Sequence, residues 1–309
     1  MGSNQVKLGL VGAGRWGQNY IQTISTMDGV SLQRVATRNP DIQRIISPET
    51  LISDEWLELV DAKDIDGLIL AVPPSVQIKI ARTAIISGLP LLLEKPLALD
   101  LKSAEKISSL AKEKEVPVLI DHIYLFHPAY EKIKNQLNET ASIKQIFSQG
   151  GSWGPFRADC SPLWDWAPHD LSMCFDLLDE TPCAINGVHE REEKTKEGYG
   201  ELVVISLEFP SGASAEMKIG NLMKSKTRRF QVKLDEGEYV FDNFSDRKLI
   251  YNCNNSVKEI TFIDDFPLNR VISTFINGIA KNDNSGFGLD LAVEVCRTIS
   301  EVERIVGHA

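Results

Sequence analysis

The chain has 309 residues, 43% of them apolar and 25% charged, close to ordinary globular composition, and its length fits about two domains. Lys and Arg number 33 against 43 Asp and Glu, and the resulting net charge of −10 opposes nucleic-acid backbones and anionic lipid surfaces, so neither is an expected partner. The longest apolar runs, 67–72 and 89–93, fall far short of the roughly 20 residues of a bilayer span.

The first residues lack a basic stretch followed by an apolar core, so no secretory leader is expected. Five scattered cysteines form no Cys-x-x-Cys pair, which points to a reducing compartment and to the cytoplasm by default. Neither the cysteines nor the five histidines fall at metal-ligand spacing, so no metal is expected.

In chain order, Val6–Gly12 reads as a buried strand ending in glycines, and the helix after it places Trp16, Tyr20, Ile24 and Met27 on one stripe. Val30–Thr37 reads as a second strand. Asp66–Val72 reads as a third, followed by a helix that Ser75 is expected to cap and that runs to Gly88. Leu89–Leu93, a helix over 101–114 and a strand at Pro117–Asp121 complete a βαβ series, predicting a parallel, doubly wound sheet. Beyond residue 140 the period changes to two. Val203, Ile205, Leu207 and Phe209 lead through Pro210-Ser211-Gly212 to Ala213, Ala215, Met217 and Ile219, a hairpin, and a second pair is expected at Arg229–Leu234 and Tyr239–Phe241. A closing helix near 291–306 turns Val295, Ile299, Val302 and Ile305 inward.

Three motifs carry chemistry. Gly12-Ala13-Gly14-Arg15-Trp16-Gly17 is a G-x-G-x-x-G between an apolar strand and an amphipathic helix, where glycines permit a tight turn and a close pyrophosphate, and the helix N-terminus offers N–H groups. A glycine-rich turn without ligand is the alternative. Where an NAD-binding chain usually places an acid, the sequence reads Ala36-Thr37-Arg38-Asn39; Arg38 suits a 2′-phosphate, which favours NADP over NAD by a small margin, the alternative being a solvated loop residue. Glu94-Lys95-Pro96 follows an apolar strand, so Lys95 stands where a nicotinamide and a substrate meet, or is a surface residue of a turn. In Trp164-Asp165-Trp166-Ala167-Pro168-His169-Asp170, Pro168 is expected in the first helical turn, with Asp165 in the entry loop; His169 beside a carboxylate is a usable acid/base, or else a helix cap.

Taken together these motifs, with Ala71-Val72-Pro73-Pro74 and Phe126-His127-Pro128, resemble the Gfo/Idh/MocA oxidoreductases over nearly the whole chain. The Trp164–Asp170 stretch is similar to members linked to polysaccharide or nucleotide-sugar metabolism. The resemblance implies an α/β Rossmann domain over residues 1–121 and an α+β domain with a large antiparallel sheet over 122–309, pairing into homodimers or homotetramers. It implies Lys95 and His169 as acid/base groups and Asp165 as a substrate-binding or His-supporting carboxylate. The expected cofactor set is Gly12, Gly14, Arg15, Trp16, Gly17, Thr37, Arg38, Pro73, Gln77 and Glu94, with Tyr124 at the substrate. Gln77 stands where the family often has His, which removes a titrating group, and Leu125 replaces a frequent Arg, which removes a holder for an anionic substrate group.

The implied reaction is hydride transfer between a nicotinamide and a secondary alcohol or ketone of a sugar, nucleotide sugar or cyclitol. Two alternatives stand beside it: a sugar dehydratase that cycles tightly bound NAD, and a non-catalytic NAD(P) sensor.

Overall fold

A computed structural model describes residues 5–137, 142–281 and 288–307. The chain forms two compact units, one of Met1–Asp121 with Phe266–Val293, the other of His122–Asp265 with Glu294–Ala309.

In the first unit β1 (Val6–Val11), α1 (Arg15–Ser25), β2 (Val30–Ala36), β3 (Leu51–Ser53), α2 (Leu57–Val60), β4 (Gly67–Leu70), α3 (Pro74–Ile86), β5 (Leu91–Glu94), α4 (Leu101–Glu113) and β6 (Val118–Asp121) follow in order. The strands are parallel in the order β3-β2-β1-β4-β5-β6, the doubly wound arrangement that the sequence predicts. Both faces of such a sheet are covered, which is why Leu8, Leu10, Leu68–Leu70 and Leu91–Leu93 run without polar interruption and are fully buried. The order reverses between β1 and β4, and the crevice at their carboxyl ends is where ligands of this architecture bind.

Two local expectations are corrected. Ser75 does not cap α3: the helix starts on Pro74, which puts Ser75 inside the first turn, and the extended Pro73 at the cap position has no side-chain acceptor to offer. On α1 the stripe includes Ile21 with Tyr20 and Ile24, whereas Trp16 is exposed and Met27 lies past the helix end.

The second unit begins with a 3₁₀ turn at Ile123–Phe126 and α5 (Pro128–Gln136). Next come β7 (Ile143–Trp153), α6 (Pro162–Leu178), β8 (Ala184–Lys194), β9 (Tyr199–Glu208), β10 (Ser214–Gly220), β11 (Leu222–Leu234), β12 (Glu238–Asp242), β13 (Leu249–Cys253) and β14 (Ser256–Glu259). Their eight-stranded sheet has the order β14-β13-β12-β11-β7-β10-β9-β8. Both predicted hairpins are present, β9 with β10 and β11 with β12. The sheet is mixed rather than wholly antiparallel, because β10 lies parallel to β7. Ile146, Ala215, Met217, Ile219, Phe230 and Val232 share the buried face, against which α6 packs.

Two C-terminal helices complete the chain: α7 (Pro267–Lys281) belongs to the first unit, and α8 (Leu289–Val306) has residues in both. Val295, Ile299 and Val302 of α8 are buried as predicted, while Ile305 is half-buried. In the first unit Phe275 of α7 is fully buried over Gly67, where a Cβ would come within 2.9 Å of its ring. Phe275→Ala therefore empties a ring-sized volume at the sheet, and urea denaturation is expected to register a loss of about 3–5 kcal/mol.

Candidate active site

The dinucleotide cradle is built by three glycines with different duties. Gly12 leaves β1 with φ +92°, in the left-handed region, and a Cβ there would sit 2.3 Å from the Ala71 carbonyl oxygen. At Gly17 a Cβ would lie 2.0 Å from the Gly12 carbonyl oxygen, so α1 can approach the strand only without one. A Cβ at Gly14 would meet nothing within 4 Å, and that open space lies at the start of α1, whose first turn contains no acid. Unobstructed N–H groups and the positive end of the helix fit a pyrophosphate. Arg15 and Trp16 are exposed beside them.

Past β2 the chain turns at Thr37, whose Oγ1 accepts the Asn39 N–H at 3.0 Å, and Arg38 is exposed. Pro73 ends the β4 crossover at the start of α3. Gln77, on α3, is buried, and its Nε2 donates to the carbonyls of Glu94 at 2.9 Å and Pro96 at 3.0 Å. The amide therefore fastens the backbone on both sides of Lys95, whose bond to Pro96 is cis.

Beneath that turn lies a cluster that sequence reasoning missed. Glu94 and Asp121 end β5 and β6 and are register partners. Between them stands the Tyr20 hydroxyl of α1, 2.9 Å from Glu94 Oε1 and 2.6 Å from Asp121 Oδ2. Burial, and then the charge of Asp121, push the Glu94 carboxyl well above the usual range; burial pushes Asp121 up to about 6. Tyr20 looked like simple packing on its stripe, yet two acids closing adjacent parallel strands were a readable signal.

The second unit holds the remaining predicted residues. α6 starts six residues earlier than Pro168 suggested, with Ser161 as its cap and Pro162 in the first turn. Pro168 lies inside the helix and removes the N–H that would reach the Trp164 carbonyl. Asp165 is thus in the first helical turn rather than in an entry loop, and His169 follows four residues later on the same face. The helix start is anchored from the sheet: Leu163 N–H donates to the fully buried Glu201 at 2.8 Å, and His189 Nε2 lies 3.0 Å from the other oxygen of Glu201. Arg157 donates to Asp165 at 3.1 Å and to Asp159 at 2.8 and 3.0 Å. Tyr124 meets the His169 ring edge-on, with centroids 5.0 Å apart.

Behind that pair Arg228 of β11 donates to Asp170 at 2.6 Å, both side chains being almost entirely buried. Its guanidinium lies over the Tyr124 ring at 4.7 Å and the Trp166 ring at 5.8 Å, within cation–π range. Gly150 makes the room: a Cβ there would come within 2.6 Å of Arg228 Nη1 and 2.7 Å of Asp170 Oδ2. Arg228 occupies an inward position of the same alternation as Phe230 and Val232, and a charge at such a position was the overlooked signal. Among the described residues no cluster of His, Cys, Asp and Glu side chains is placed to hold a metal ion.

A dinucleotide cradle at the switch point of a doubly wound sheet, with a lysine held at the neighbouring strand end, defines an NAD(P)-binding oxidoreductase. Residues 6–122 match the family model described as "Oxidoreductase family, NAD-binding Rossmann fold". A crystal structure from Magnetospirillum magnetotacticum MS-1, classed provisionally as an oxidoreductase, is 34% identical, with 95% of this chain and 98% of that one covered and a TM-score of 0.89. Inositol 2-dehydrogenase 4 of Saccharopolyspora erythraea is 25% identical over 71% of this chain and 68% of its own length. The fold is shared with UDP-N-acetylglucosamine 3-dehydrogenase GnnA of Acidithiobacillus ferrooxidans, at 19% identity, 97% coverage of each chain and a TM-score of 0.84. The chain belongs to the Gfo/Idh/MocA family of oxidoreductases.

The buried ion pair yields a stability test. Asp170→Leu strands the Arg228 charge and is expected to cost about 3–5 kcal/mol in urea denaturation, whereas adding Arg228→Met recovers most of that loss because no charge then remains buried.

Proposed function

We propose that the protein interconverts a secondary alcohol and a ketone on a sugar, nucleotide sugar or cyclitol. The sugar and inositol dehydrogenases among its relatives support that substrate class. The observation that carries the reading is Lys95, held by Gln77 at the carboxyl end of β5 in a dinucleotide-binding unit.

Gly12, Gly14 and Gly17, with the first N–H groups of α1 at Arg15 and Trp16, would hold the pyrophosphate. Thr37 and Arg38 would face the adenosine ribose, and Pro73, Gln77 and Glu94 would form the nicotinamide end. When bound, the nicotinamide gives or accepts the hydride. Lys95 supplies the accompanying proton to a ketone oxygen as its ammonium, or takes it from a hydroxyl as its amine. His169 is the second acid/base group, with Asp165 as the carboxylate that binds substrate or supports it. Tyr124, edge-on to His169, offers its ring to the sugar.

NADP is the favoured cofactor, because Ala36-Thr37-Arg38-Asn39 places an exposed cation and no acid at the end of β2. We also propose a cytoplasmic enzyme, consistent with Cys160, Cys174, Cys183, Cys253 and Cys296, none of which forms a disulfide. Pairing into a homodimer or homotetramer would use the outer face of the eight-stranded sheet, where Phe147, Gln149, Lys218, Arg229 and Gln231 line a depression.

The test is nicotinamide absorbance with UDP-N-acetylglucosamine, inositols and related sugars as substrates. With an accepted substrate, Lys95→Ala is expected to lower kcat about 10²–10⁴-fold while the cofactor Kd changes little; near-full turnover would remove Lys95 from the reaction. Fluorescence titration is expected to show tighter binding of NADPH than of NADH, with the difference lost in Arg38→Ala. Preference for NADH in the unaltered chain would overturn the cofactor assignment.

A further inference from the structure

Tyr20 has one hydroxyl proton and two close acceptors, Asp121 Oδ2 at 2.6 Å and Glu94 Oε1 at 2.9 Å. A phenol donates once. If both carboxyls were ionised, one of the two contacts would bring oxygens together with no proton between them. Asp121 and Tyr20 are almost wholly buried, and Asp121 Oδ1 has no hydrogen-bond partner among the described residues. A carboxylate that neighbours a buried one also resists joint ionisation with it.

The groups acting on this pair come from each side. From α1 come the Tyr20 hydroxyl and the Trp16 indole N–H, which favour ionised carboxyls; from the turn after β5 comes the Lys95 cation; and Glu94 and Asp121 act on each other. In the chain, Asp121 is followed by His122, itself buried. The interaction with Lys95 is mutual, since a carboxylate that gains from an ammonium favours that ammonium equally.

We propose that Glu94 and Asp121 share one proton at neutral pH, tied by Tyr20, and so present a single negative charge to Lys95. Tyr20 and Asp121 then act as positioning residues for proton exchange at Lys95. The kinetic part of this inference rests on the role given to Lys95 above; the proton count does not.

Infrared spectroscopy of the full chain at pH 7 tests the count. The spectrum of the unaltered protein minus that of a Glu94→Gln, Asp121→Asn double variant is expected to contain the carbonyl stretch of one protonated carboxyl group. No such band, or two, overturns the proposal. Should the double variant fail to fold, Glu94→Gln alone serves: Tyr20 then donates wholly to Asp121, which is ionised at pH 7, and the band is lost; a persisting band overturns the proposal.

The alkaline limb of kcat/KM supplies the second readout. Glu94→Gln keeps one negative charge on Asp121, so the limb is expected to stay in place, whereas the double variant moves it about one unit to lower pH. An equal displacement by the single variant means that two charges were present and overturns the inference. If Lys95→Ala retained turnover while the infrared count stood at one, the role of Lys95 would fail and the shared proton would survive.

Discussion

The approach of α1 to the carboxyl ends of β1 and β4 governs the dinucleotide unit. No side chain fits between the helix and the Gly12 carbonyl, since a Cβ on Gly17 would lie 2.0 Å from that oxygen. That one steric fact places the helix N-terminus over the switch point and, one turn further along, puts Tyr20 between the ends of β5 and β6. The proposed phosphate site and the Tyr20 contacts beneath Lys95 thus depend on the same close approach.

The second unit solves a similar problem by the opposite means. Here a missing Cβ at Gly150 admits charge into the interior: Arg228 and Asp170 fill the space against the buried face of the sheet. Taking an ion pair out of water is costly, so its presence beside His169 calls for a role beyond stability. The guanidinium lies against both Tyr124 and Trp166, and Tyr124 in turn lies against His169. Side chains that would otherwise sample several rotamers are held around one rigid, planar cation. The outer end of α6 is held differently, by the Arg157 bridge between Asp159 and Asp165, and it is rooted in the sheet through Glu201.

Most of the parallel sheet was legible because β1, β4 and β5 are unbroken buried runs that stop at or near Gly or Pro, as at Val11-Gly12 and Leu70-Ala71-Val72-Pro73, whereas the short, exposed β3 carries no such signal. The hairpins were legible from period-two alternation. The parallel pairing of β10 with β7 was not, since alternation records which face is buried and is silent on which strand lies alongside. The start of α6 was misplaced because Pro168 imitates a first-turn proline, while the true signal, Ser161-Pro162, lay seven residues upstream of it. Lys95 and the glycines announced themselves by sequence context. Tyr20, Asp121 and Arg228 did not: each acts through partners distant in the chain, and a buried polar group looks like packing until its neighbours are known.

The position of β7 has a consequence for how the second unit assembles. β7 leaves the ribosome before its partners, yet it lies in the middle of the sheet between β10 and β11, which begin some seventy residues later. Until those strands arrive, neither of its edges has a mate and α6 has no completed surface to cover. Contacts of such long sequence separation carry a large loop-closure cost and slow folding. The Arg228–Asp170 pair, joining residues 58 positions apart, closes only after β11 has docked. The nascent chain therefore carries β7 with both edges unpaired until β10 and β11 have been made.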